Sequence, residues 1–86
     1  MANKQWTVQI YLADEGDETS ARAVLITKGG GRVDGIGRRR RNPADAWVPD
    51  IGDELAASRA LADLAGKVAA ITKQDLAESV AIPAES

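Results

Sequence analysis

Cysteine, histidine and phenylalanine are absent from this 86-residue chain, which holds one methionine, one tyrosine and two tryptophans. Without cysteine there is no disulfide framework and no thiolate metal site. Without histidine the commonest metal ligand and the commonest general base are missing. An enzyme is therefore not expected, nor is a metal, a cofactor or a small-molecule substrate. No stretch approaches the ~20 apolar residues of a membrane span, so no membrane partner is expected. The start, Met1-Ala2-Asn3-Lys4, lacks the apolar run of a secretory signal. Cytoplasmic residence is the expectation.

Eighty-six residues form one domain, and a domain this small buries only about 60–65% of its unfolded surface. Its core must come from Val, Ile, Leu, Ala and Trp. A second copy of the chain is the expected supplement to that thin core. The net charge of −2 hides an asymmetry. Residues 1–42 carry eight basic and five acidic groups (+3), whereas residues 43–86 carry three basic and eight acidic (−5). Fields are local, screened beyond roughly 10 Å at 0.1 M salt, so a basic first half can still hold an anion.

Residues 5–12 alternate, with Trp6, Val8, Ile10 and Leu12 on one face, which predicts a half-buried strand. The acidic run 14–18 around Gly16 predicts a hairpin turn, and residues 19–28 a second strand with Ala21, Ala23 and Leu25 toward a helix. Gly29-Gly30-Gly31 reads as the next turn and residues 32–41 as a third strand. Arg38 to Arg41 cannot sit mid-sheet over a buried face, because two would enter the core unpaired. The strand is thus expected to run out past the helix near Gly37, or to bend there at a bulge. Trp47 is a candidate plug over one end of the core.

Pro49 and Asp50 announce a helix over residues 51–71, with Asp50 as N-cap and Asp53 and Glu54 in the first turn. Ile51, Leu55, Leu61, Leu64, Val68 and Ile71 form its apolar stripe, and alanines fill much of the rest. Thr72-Lys73-Gln74-Asp75 resembles a capping box, predicting a short second helix over 73–79 and a flexible tail over 80–86. The fold class is α+β: a three-stranded antiparallel sheet in chain order β-β-β-α-α, packed on one long helix.

Trp6-Thr7-Val8, Gly35-Ile36-Gly37, Asn42-Pro43-Ala44-Asp45, Val48-Pro49, Ile51-Gly52-Asp53-Glu54-Leu55-Ala56 and Arg59-Ala60-Leu61-Ala62-Asp63-Leu64 resemble a small actinobacterial family of unknown function. Its fold is related to double-stranded-RNA-binding domains, and a mycobacterial member of the dormancy response has been likened to ribosome hibernation-promoting factors. The resemblance runs from about Trp6 to Ala77. It implies a three-stranded sheet with C-terminal helices, a dimer exchanging C-terminal segments, and no catalytic residue to carry over. The four-arginine run departs from the family pattern.

Three groups of residues bear on function. Arg38, Arg39, Arg40 and Arg41, joined by Arg22, Lys28 and Arg32, form a basic rim. Guanidinium pairs bidentately with phosphate, and double-stranded RNA is read through backbone shape, so rRNA, a ribosome or double-stranded RNA is the expected partner. The competing reading is that these charges only guard a strand edge. Val24, Ile26 and Ile36 on the face away from the helix, with Val80 and Ile82 of the tail, suggest a homodimer or partner surface; ordinary strand propensity is the alternative. Asp50, Asp53 and Glu54, with Asp45, suit capping far better than Mg²⁺, and Gly29–Gly31 lacks the Lys-Ser/Thr of a phosphate loop. Ser58 and Lys67 have no partner for nucleophilic chemistry.

Overall fold

Alternating apolar residues, a glycine-bearing two-residue turn and a glycine tip drive the first half of the chain into a meander. A computed structural model describes residues 3–27, 29–42 and 49–81. Strands β1 (Thr7–Glu15), β2 (Glu18–Ile26) and β3 (Arg32–Arg40) form one antiparallel sheet in the order β1-β2-β3. Helix α1 (Pro49–Ala81) follows. Gly16, first of the two loop residues between Glu15 and Glu18, takes φ +59°, and among the described residues only glycines have positive φ, the pattern of a type II′ hairpin. At the second turn the Gly30 amide donates to Thr27 O and the Thr27 amide to Gly31 O.

Register puts Val8, Ile10, Leu12; Thr19, Ala21, Ala23, Leu25; and Val33, Gly35, Gly37, Arg39 on one face. The helix lies over this face but not centrally: it covers β3 and β2 and scarcely meets β1. All nine β1 residues are exposed, Tyr11 at 51% and Leu12 at 48%, as is Trp6 just before them at 58%, where a half-buried strand is expected from the alternation. The reason is the helix's lateral offset, which no strand pattern encodes.

The helix packs only part of the expected stripe, Leu64 and Val68, and completes it with small residues. Its sheet-facing ridge is Gly52, Ala56, Ala60, Leu64 and Val68, every fourth residue. Ile51, Leu55, Leu61 and Ile71 remain 37–46% exposed. Glycine on the sheet explains the choice. A Cβ at Gly37 would strike the Ala56 carbonyl and Ala60 amide, and one at Gly35 the Ala60 carbonyl and Leu64 amide. Helix and strand backbones touch there, and only small side chains fit between them. The core is Ala21, Ala23, Leu25, Ala56, Ala60 and Leu64.

Further expectations are corrected. A single 33-residue helix replaces the predicted pair. Thr72 does not cap a new helix; its hydroxyl donates to the Val68 carbonyl at 3.1 Å within the existing one. The backbone of 80 and 81 continues that helix rather than opening a tail. Asp50 lies in the first turn, because Pro49, with its pre-set φ, already begins the helix. Finally, β3 neither bulges nor escapes the helix at Gly37: it pairs residue for residue with β2 to Arg40. Trp47 and Asp45 lie outside the described residues.

Candidate nucleic-acid interface

Strand alternation splits the arginine run. Arg38 and Arg40 point away from the helix, on the same face as Arg22, Arg32 and Ile36. Arg39 points toward the helix and is half-buried, its Nη1 against Gly52 of the first helical turn. Arg41, past the strand end, donates to the Asp17 carboxylate at 2.9 Å while its amide donates to Asp17 O. It fastens β3 to the first turn. Arg40 stands opposite Glu18 in the ladder and shares a recess with Glu15, Asp17 and Glu18.

Arg32 and Asp34 form a two-point ion pair at 2.8 and 2.9 Å. The Arg32 hydrogen bond holds the Asp34 carboxyl below its ordinary range, and Asp34 in turn raises the Arg32 pKa. Arg32 is thus largely spoken for. Arg22 lies over the Tyr11 ring, 5.2 Å from its centroid, a cation–π distance. Arg22 and Arg38 remain. Both are exposed, they line one shallow depression with Tyr11, Ser20 and Ile36, and no carboxylate pairs with either among the described residues. Lys28 lies outside the described residues.

Of the expected partner surface, Ile26 and Ile36 are exposed at 54% and 43%, but Val24 is 4% exposed. Although it faces away from the helix, Val24 is the middle strand's residue between Gln9 and Asp34 and is hemmed by both. The Val80 side chain and Ile82 lie outside the described residues.

Sequence reasoning missed how β3's outer edge is closed. Lys67 Nζ donates to Asp34 O at 2.7 Å, the Ile36 amide donates to Asp63 Oδ2 at 2.8 Å, and Arg59 Nη1 donates to Arg38 O at 2.7 Å. Those three helix residues recur every fourth position while their backbone partners recur every second. One helix flank thus serves as a surrogate fourth strand. The only signal was the Arg-x₃-Asp-x₃-Lys spacing, which reads equally well as ordinary solvated charge.

The sequence matches the Rv2632c-like family model over residues 4–85. The chain belongs to the Rv2632c-like family. It is 41% identical over 78 residues to the uncharacterized protein Rv2632c of Mycobacterium tuberculosis, covering 90% of this chain and 84% of that one. A second relative, the uncharacterized protein Mb1767 of Mycobacterium bovis, is 40% identical over 73 residues, covering 85% of this chain and 77% of the other. The crystal structure of Rv2632c superimposes with a TM-score of 0.87 at 36% identity, covering 96% of this chain and 98% of that one. The match spans both the sheet and the long helix, so this architecture is shared with that Rv2632c-like relative. These relatives point to no enzymatic family. Among the described residues no helix is long and apolar enough to cross a membrane.

Proposed function

We propose that this protein is a non-enzymatic, cytoplasmic RNA- or ribosome-associated factor that meets phosphate through the sheet face bearing Arg22 and Arg38. One observation carries the reading: two exposed guanidinium groups share a depression, and among the described residues neither is ion-paired to a carboxylate, Asp34 feeling Arg22 only at longer range. Arg40 adds to this face at its acidic end. The competing role, guarding the β3 edge, is already filled by Arg59, Asp63 and Lys67, so Arg38 is not needed for it. Likeness to double-stranded-RNA-binding domains, and through them to hibernation-type factors of dormancy or stress, extends the proposal; it rests on the quoted sequence blocks. Specificity would be for shape and phosphate, with affinity falling steeply in salt.

The test is co-sedimentation with ribosomes across a salt series, comparing wild type with Arg22→Gln/Arg38→Gln. Two lost phosphate contacts should flatten the log–log salt slope by about 2. Unchanged sedimentation would refute the proposal. A second reading, a homodimeric interaction module of undetermined partner, is favoured by the bare Ile26 and Ile36 on the same face.

A further inference from the structure

Helix α1 lies on one face of the sheet, and the other face holds Tyr11, Arg22 and Ile36 opposite one another across the three strands. Tyr11 is the chain's one tyrosine, and it is 51% exposed yet held at two points. Its hydroxyl donates to Gln9 Oε1 at 2.7 Å, and the Arg22 guanidinium lies over its ring, 5.2 Å from the centroid. A side chain already fixed in this way loses little further rotamer freedom when a ligand packs on it. Ring and guanidinium together offer a flat, cationic surface of the kind on which nucleobases stack.

Two depressions flank this pair along the strands. The first is the cationic one that Arg22 and Arg38 share. The second is lined, among the described residues, by Gln5, Thr7, Gln9, Val24, Ile26 and Thr27, and none of these is charged. Amides and hydroxyls stand there beside an apolar floor. Gln9 accepts from Tyr11 through Oε1, which leaves its NH₂ group to donate. A side-chain amide carries donor and acceptor together and so matches the edge of a base. Thr7, Gln9 and Tyr11 recur about every 7 Å on this face, so amides, ring and guanidinium groups follow one another along a single track. A duplex would use little of it. Paired bases are stacked on each other and their Watson–Crick edges are taken, so Tyr11 and the amides would meet only backbone.

We propose that this face holds an unpaired stretch of RNA, with phosphate at Arg22 and Arg38, one base stacked at Tyr11 and a neighbouring base edge bonded by Gln5 and Gln9. The inference rests on the RNA reading above and narrows it from phosphate in general to single strands. Charge complementarity sets the placement. The backbone passes the two arginines, and the uncharged depression takes the neutral part of a nucleotide, its base. Ile26 and Ile36, exposed at 54% and 43%, then serve as apolar flanks for base and ribose carbons.

The experiment is fluorescence anisotropy of the full chain with an end-labelled, unstructured RNA of about 16 nucleotides, and with the same RNA annealed to its complement, a length that shape-reading proteins can grip. The unpaired strand should bind about tenfold tighter or better, because only it can stack. Tyr11→Ala should weaken the unpaired strand by about tenfold, the share of one stacked base, and leave its salt slope and the duplex affinity unchanged. Tyr11→Phe keeps the ring and should stay within about twofold of wild type. Both variants should fold, by circular dichroism, since Tyr11 lies outside the core. Gln5→Ala/Gln9→Ala should weaken the unpaired strand alone. Equal affinity for the two RNAs overturns the inference, as does a Tyr11→Ala variant that binds the unpaired strand as wild type does. In either case loss of binding in Arg22→Gln/Arg38→Gln would still uphold the phosphate reading. Binding to neither RNA overturns both.

Discussion

The Asp63 carboxylate accepts the Ile36 amide at 2.8 Å, a bond reaching across 27 residues to fix the helix beside the sheet's outer strand. Lys67, one turn on, pairs with the same carboxylate at 3.1 Å and also holds the Asp34 carbonyl. The Ile36 hydrogen bond, then Lys67, keep the Asp63 carboxyl below its ordinary pKa.

That shift sets a pH dependence. A carboxyl whose folded pKa is depressed stabilises the fold above its unfolded value, and the contribution is lost as pH falls through the folded value. Asp63→Asn should therefore melt below wild type at neutral pH. The difference should shrink in the acid range, where wild type is protonated too. Melting curves by circular dichroism across pH decide it; a gap that persists in acid contradicts this account.

Gly37→Ala tests the close approach of helix to strand. The added methyl meets the backbone of Ala56 and Ala60, which cannot rotate aside. A loss of about 3 kcal/mol is expected from such overpacking, enough to unfold much of a small domain. Urea denaturation measures it, and a near-neutral result would mean the helix stands further off.

Gly66→Ala should act in the opposite sense. Nothing lies within 4 Å of where its Cβ would stand, and the residue is exposed in the helix interior. The gain expected from helix propensity is about 1 kcal/mol, read as a raised urea midpoint.

Beyond Val68 no described helix side chain packs on the core, and those from 69 to 79 are all exposed. Hydrogen exchange should show amides past Thr72 opening far more readily than those of Ala56 to Leu64, because only local helix bonds hold them. Equal protection along the helix would show that something covers its second half.

The order of elements, three strands then a long helix, was legible from alternation, two glycine turns and the Pro49 start. These are local signals that need no tertiary partner. The sequence singled out Gly37, but as a bulge or strand exit; there and at Gly35 the absent side chain instead admits a helix backbone. The buried helix stripe was read correctly at Leu64 and Val68 and misread toward the helix start, since Ile51, Leu55 and Leu61 are the more hydrophobic residues yet Ala56 and Ala60 occupy the contact. Hydrophobicity ranks residues by transfer free energy, but steric room at the glycines decided the contact.

The four arginines show the same division. Their presence and their exclusion from the core followed from charge alone, because burying an unpaired guanidinium is too costly. What each one does was set by neighbours distant in sequence. Asp17 takes Arg41, Gly52 stands against Arg39, and Glu18 opposes Arg40, leaving Arg38 with Arg22. Composition and periodicity fixed the elements; the helix's position across the sheet decided which edge is closed, which is open and which charges remain free, because those follow from contacts between residues tens of positions apart.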